Sequence, residues 1–253
     1  MVFFPEDRPE EVDPGPRIEP GSSSDRKRPV KLPGVVISSD FFARDAQEAA
    51  RALLGKVLCH RVDGLWLAAR IIETEAYYLA EKGSHASLGF TEKRKALFMP
   101  PGTIYMYYAR GGDSFNVSCL GEGDAVLFKA GIPHPLGDSP GPMLARMAGL
   151  NPLPSGAARA GDRLCSGQTL LCRALALRVP DWDQRGFDGE TLQLLDVGYR
   201  PAEIIRTTRL GIAPGRDGHL PYRFIDPAHV RQCTRNPVTR RTGGAPEYEI
   251  ISA

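Results

Sequence analysis

Ile71-Ile72-Glu73-Thr74-Glu75-Ala76-Tyr77 is the stretch on which the reading of the chain turns. Strand periodicity sends successive side chains to opposite faces. Ile72, Thr74 and Ala76 then share one face, and Ile71, Glu73, Glu75 and Tyr77 the other. Two carboxylates and a phenol on one face are costly to bury unless they are paired or used. At i and i+2 the carboxylates lie roughly 6.5–7 Å apart, a separation that acid-assisted glycosidic cleavage employs. Taken alone, the seven residues also describe a half-solvated strand with two surface glutamates, the plainer of the two readings.

Upstream, Asp45 is an N-cap with Glu48 at the third helical position. Ala46, Ala49, Ala50, Leu53 and Leu54 keep helical spacing, and Gly55 stands where a terminating glycine belongs. Lys56 to Val62 reads as a strand, Asp63-Gly64 as a tight hairpin turn, and Leu65 to Tyr78 as the return strand that carries both glutamates. Downstream, Leu79 to Gly89 is a loop holding His85. Thr91 to Met99 is expected to be a short capped helix whose Lys93, Arg94 and Lys95 form the densest basic cluster of the ordered chain. That cluster is either an exposed helix face or a phosphate contact. Thr103 to Ala109 is an aromatic strand with Tyr105 and Tyr107 on one face and Tyr108 on the other, followed by the turn Arg110-Gly111-Gly112-Asp113. Ser114 to Leu120 and Ala125 to Ile132 make a further strand pair. Met143 to Met147 forms a short helix, another begins near Ser166, and Leu192 to Leu195, Ile204 to Ile212 and Tyr222 to Ile225 are later strands. There is no internal repeat and no regular βαβ alternation. The expected fold is α+β: a single domain with a curved, mainly antiparallel β-sheet flanked by helices and long loops.

With 253 residues, 42% hydrophobic and 25% charged, the chain has the size and composition of a globular domain. Residues 1–33 are too rich in Pro, Gly, Ser and charge to fold alone and are expected to be a disordered arm. Residues 34–233 are the domain, and 234–253 a loose tail. A net charge of +2 leaves any basic surface to local clustering. Five cysteines without a C-x-x-C pair argue against a disulfide framework or a structural zinc site. The N-terminus lacks a signal-peptide core and no apolar run reaches membrane-spanning length, so a cytoplasmic protein is expected, nucleoid-associated if bacterial. No G-x-S-x-G, phosphate-binding loop or G-x-G-x-x-G is present. Glu73, Glu75, His85, Asp113 and Asp124 could be gathered into a nuclease-like metal site, but nothing in their spacing demands it. A rigid acid-bearing strand, a nearby histidine, an aromatic strand and a basic segment suit hydrolysis of a sugar–base bond in a flipped nucleotide.

Several runs carry a resemblance. They are Ile72-Glu73-Thr74-Glu75-Ala76-Tyr77, His85, Phe98-Met99-Pro100-Pro101-Gly102-Thr103-Ile104-Tyr105, and Asn116-Val117-Ser118. Gly167 to Leu175 resembles a "GPGKLCQAL" run, and Arg209-Leu210-Gly211-Ile212 and Tyr222-Arg223-Phe224 match near the end. Together, over roughly Leu32 to Phe224, they resemble the mammalian-type 3-methyladenine (alkyladenine) DNA glycosylase family. The resemblance implies a metal-free, cofactor-free, monofunctional enzyme acting as a monomer on double-stranded DNA containing damaged purines. By motif position it implies Glu75 as the general base, with Tyr77 and Tyr107 as the walls around the flipped base. It further implies that His85 holds base and sugar phosphate, that Asn116 crowds a guanine amine, and that Glu73 is a structural acid. The chain departs from the family's pattern twice. The hairpin that carries the intercalating wedge is one residue shorter, leaving Tyr108 or Arg110 for that role, and the family's arginine on the following strand is Lys129. A non-catalytic nucleic-acid binding module of the same fold, or a metal-dependent nuclease, are the alternatives.

Overall fold

In the computed structural model the described residues are 32–109, 111–136, 140–239 and 248–252. The N-terminal arm up to residue 31 and Arg110 therefore lie outside them. Ten strands form one sheet: β1 (Val35–Val36), β2 (Val57–Val62), β3 (Leu65–Tyr77), β4 (Ile104–Ala109), β5 (Gly112–Ser118), β6 (Ala125–Pro133), β7 (Leu192–Asp196), β8 (Glu203–Thr207), β9 (Arg223–Ile225) and β10 (Tyr248–Ser252). All pairings are antiparallel, in the order β1-β7-β2-β3-β6-β5-β4, with β9 joining β3 to β8 and β8 to β10. The helices are α1 (Ala46–Leu53), α2 (Gly141–Leu150), α3 (Gln168–Ala174) and α4 (Val179–Trp182). This is the expected α+β fold.

The opening stretch is the trunk of the sheet. Asp63 and Gly64 both take positive φ (50° and 80°), as a two-residue turn between tightly paired strands requires, and they fold β2 back on β3. The Asp45 carboxylate accepts the N–H groups of Gln47 and Glu48 and starts α1, whose Ala46, Ala49, Ala50 and Leu53 are fully buried. α1 packs on β3 and β6, and Thr74 Oγ1 donates to the Ala50 carbonyl at 2.8 Å. Ile72, Thr74 and Ala76 are all fully buried. The opposite face, with Glu73, Glu75 and Tyr77, points away from α1.

β3 changes partner along its length. It pairs with β2 as far as Arg70 and with β9 from Glu73 to Glu75. Against β6 the register steps from Ile71↔Gly131 to Glu73↔Ala130 to Thr74↔Phe128. Ile72 and Lys129 are thereby each left without a direct partner across this ladder. Such irregularities re-aim side chains beside functional sites, and Lys129 is the side chain re-aimed here.

Three local expectations change. Glu92–Phe98 is a 3₁₀ helix, and the Thr91 side chain does not cap it; the segment is short and runs directly into Pro100-Pro101. The strand expected over Ile204 to Ile212 ends at Thr207, where its pairings with β9 and β10 stop, and the chain then bends at Leu210-Gly211, with Gly211 at φ +77°. The tail expected to be loose supplies β10, whose Tyr248 to Ser252 pair with Thr207 to Glu203. Among the described residues no helix is long and apolar enough to cross a membrane.

Candidate active site

A cavity of about 200 Å³ opens on the Glu75 face of β3. Tyr77 of β3, His85, Tyr105 and Tyr107 of β4, Asn116 of β5 and Lys129 of β6 line it, together with Gln168 at the start of α3 and the turn at Leu210–Ile212. Strand alternation explains why β4 contributes Tyr105 and Tyr107, while Met106 enters the core.

Neither glutamate is solvated; both are fully buried. Glu73 accepts Arg223 Nε at 2.6 Å and the Thr234 N–H at 2.7 Å, so it ties β9 and the chain after Cys233 to the trunk. Glu75 lies beside it in a different set of partners. Its Oε1 accepts the Leu210 N–H at 2.9 Å. Its Oε2 accepts the Tyr77 hydroxyl at 2.7 Å and faces Lys129 Nζ at 3.3 Å. Glu75 adds no surface to the cavity; it stands directly behind Tyr77, Lys129 and Leu210, which do. Burial by itself pushes its carboxyl pKa up, but Lys129, the Leu210 amide, the Tyr77 hydroxyl and Arg223 more than offset this, and the carboxyl is held below its ordinary value. Glu75 is therefore an anion at neutral pH. Burial, and then the charge of Glu75, push the Tyr77 phenol well up, so it remains a donor.

Tyr77 is also gripped from behind. The Arg209 guanidinium lies 4.5 Å from its ring centroid. Arg209 is itself buried, bonding the Ala76 carbonyl at 3.0 Å and the Glu81 carboxylate at 2.7 Å. The ring is thus held by a cation while the residue lines the cavity. Opposite, the His85 ring packs on Tyr107 with centroids 4.5 Å apart, and its Nδ1 is 2.9 Å from the Tyr105 hydroxyl. Burial, then Arg94 and Arg216, lower the His85 pKa, which keeps the imidazole neutral at physiological pH. The loop carrying His85 is anchored at Leu79 by Asp124 and at Lys82 by Asp217 and Arg216.

Asn116 Nδ2 donates to the Tyr105 carbonyl at 3.1 Å. The basic cluster divides. Arg94 bonds the Gly89 and Leu88 carbonyls at 2.8 and 3.1 Å, Lys95 faces Glu92 at 3.8 Å, and Lys93 is exposed. Tyr108, 68% exposed, lies in β4 between the lining residues Tyr107 and Ala109 and is not itself part of the cavity lining. The acids that a metal site would need are dispersed: Glu73 is on Arg223, Asp113 accepts the Val179 N–H and Asp124 the Leu79 N–H. Among the described residues no group of three or more His, Cys, Asp or Glu could hold a metal ion.

Sequence reading assigned no role to Tyr105, Gln168, Arg209 or Leu210. Tyr105 carried a signal, its shared face with Tyr107. Gln168 and Leu210 fell within runs that carried the resemblance, but nothing local announced their contacts, which they make from 39 residues beyond Lys129 and 135 beyond Glu75.

The family described as methylpurine-DNA glycosylase matches the chain over residues 40–230. A protein of Pseudomonas savastanoi pv. phaseolicola is 62% identical over 200 residues, covering 79% of this chain and 90% of that one. One of Pseudomonas aeruginosa is 58% identical over 211 residues, covering 83% and 88%. One of Koribacter versatilis is 37% identical over 193 residues, covering 73% and 86%. All three bear the name "Putative 3-methyladenine DNA glycosylase".

Proposed function

The chain belongs to the methylpurine-DNA glycosylase family of base-excision repair enzymes, and from that premise we propose that it excises alkylated or deaminated purines of the 3-methyladenine, 7-methylguanine, hypoxanthine and ethenoadenine class. The damaged nucleotide leaves the duplex, its base enters the cavity, and water activated by Glu75 hydrolyses the N-glycosidic bond. The product is an abasic site in an uncut strand. A monomer working on DNA in the cytoplasm completes the reading.

One observation carries it: an anionic carboxylate is held rigidly behind the wall of an aromatic cavity. At about 200 Å³ the cavity is smaller than the ~300–1,000 Å³ of sites for drug-sized ligands and suits a single base. The cavity side of Tyr77 and the Tyr107–His85 pair supply the two stacking walls that an extruded base requires. As the glycosidic bond lengthens, positive charge grows on the sugar, and a fixed anion stabilises it without reorganisation. Glu75 then takes the proton of the attacking water. Tyr77, Lys129 and Leu210 set the direction of its carboxylate. Lys93 and the β4–β5 hairpin, with Tyr108 or Arg110 as the wedge, meet the DNA backbone and the gap left by the flipped nucleotide.

Glu75→Gln tests this. Single-turnover release of 3-methyladenine and hypoxanthine from duplexes should fall by at least ~10²-fold, with duplex binding retained. Release should be unaffected by EDTA, and no strand break should appear before alkali treatment. Full release by Glu75→Gln would remove the mechanism.

A further inference from the structure

We propose that Gln168 is a positioning residue that fixes the Lys129 ammonium against Glu75, supplying through a second side chain the direction that a lysine lacks. The proposal deepens the glycosidic reading above and rests on it. Lys129 Nζ lies 2.9 Å from Gln168 Oε1 and 3.3 Å from Glu75 Oε2. The contact to the amide is the shorter of the two. The contact to the carboxylate is longer than the ~2.7–2.9 Å of a strong charge-assisted bond. Gln168 therefore supplies the directional bond, and Glu75 the Coulomb attraction.

The amide can stand only one way round. An ammonium only donates, so the atom of Gln168 that faces it is the carbonyl oxygen. The amide nitrogen then points to Ser114 Oγ, 2.7 Å away, and Ser114 is fully buried on β5. The chain of contacts runs Ser114, Gln168, Lys129, Glu75.

The backbone around the amide is equally constrained. The first turn of α3 presses on β5 so closely that a Cβ at Gly112 would meet Thr169 Cγ2 at 2.0 Å. Asn151 Nδ2 holds the same turn through the Leu170 carbonyl at 3.1 Å.

The reason such a partner is needed is chemical. Guanidinium presents donors in a rigid planar fork, whereas an ammonium on a four-carbon stem has three rotatable donors. Lys129 also sits at the break in the β3–β6 ladder and lines the open cavity. Without Gln168 its ammonium is free to swing toward the space where the base binds.

The test is a double-mutant cycle of Gln168→Ala and Lys129→Arg, read by single-turnover base release, its pH profile and duplex affinity. In the unmutated background Gln168→Ala should slow release about tenfold and move the acid limb of the profile to higher pH, because Glu75 loses a well-placed cation. Duplex affinity should stay within about twofold. In the Lys129→Arg background the same change should cost nothing further, because the fork orients itself. Any purely structural harm from orphaning Ser114 persists in both backgrounds, so the double variant separates the two roles. An equal loss in both backgrounds, or a loss in neither, overturns the inference while leaving the glycosidic reading intact. Absence of release by the unmutated enzyme on every damaged duplex defeats that reading, and this inference with it.

Discussion

Replacing Lys129 by methionine keeps the length of the side chain and removes its charge, leaving Glu75 buried beside an apolar neighbour. At the 3.3 Å separation of the pair and an effective dielectric of ~20, the attraction lost is about 5 kcal/mol. Mutational experience with one partner removed from a buried pair gives a similar cost, about 3–5 kcal/mol. For a domain of this size that corresponds to a melting temperature lower by roughly 10 °C. The sign of its pH dependence follows from Glu75. In the unmutated protein its pKa is lowered, so its contribution to stability is present above the ordinary carboxylate value and is lost as pH falls through the lowered one. In the variant the strongest of the influences that lower it is gone, so its pKa is higher than in the unmutated protein and less of that contribution remains at neutral pH. The stability gap is therefore widest near pH 7 and closes toward about pH 4. Urea unfolding of both proteins at the two pH values measures it. Changing Glu75 to methionine as well should return part of the loss, since neither charge of the pair then remains. A gap of the same size at both pH values, or no gap, would show that Lys129 and Glu75 are not coupled as the geometry requires.

Three other outcomes follow from single contacts. Tyr77→Phe deletes the 2.7 Å donor to Glu75 but keeps the ring, so base release should slow about tenfold or more, as for loss of a hydrogen bond to a charged group, with duplex binding unchanged. Glu73→Gln strips the buried Arg223 of its counter-charge and should cost about 3–5 kcal/mol in urea unfolding, with faster proteolysis near Thr234, whose N–H the same carboxylate holds. Tyr108→Ser alters an exposed side chain and should leave stability within about 0.5 kcal/mol; slower base release from that variant would assign the wedge to Tyr108, and unchanged release would assign it to Arg110.

Much of the local architecture was legible because it depends on neighbours in the chain. Asp45 caps its own helix, Asp63-Gly64 bends its own hairpin, and alternation alone puts Tyr105 and Tyr107 on one side of β4. Where a distant element had a say, reading failed. Ile204 to Ile212 looked like one strand, but the chain bends at Leu210-Gly211 and the Leu210 N–H reaches Glu75.

The plainer reading of the opening stretch, two surface glutamates on a half-solvated strand, was consistent with every local rule and is wrong. Periodicity states which side chains share a face, not what covers that face. The amino-acid order by itself determined the trunk strand, its hairpin and the side from which Glu73, Glu75 and Tyr77 project. Only the tertiary structure decided that Arg223 would neutralise the first acid, and that Tyr77, Lys129 and the Leu210 amide would hold the second behind a cavity. Burial of a carboxylate depends on partners brought from more than a hundred residues away, and no local pattern carries that information.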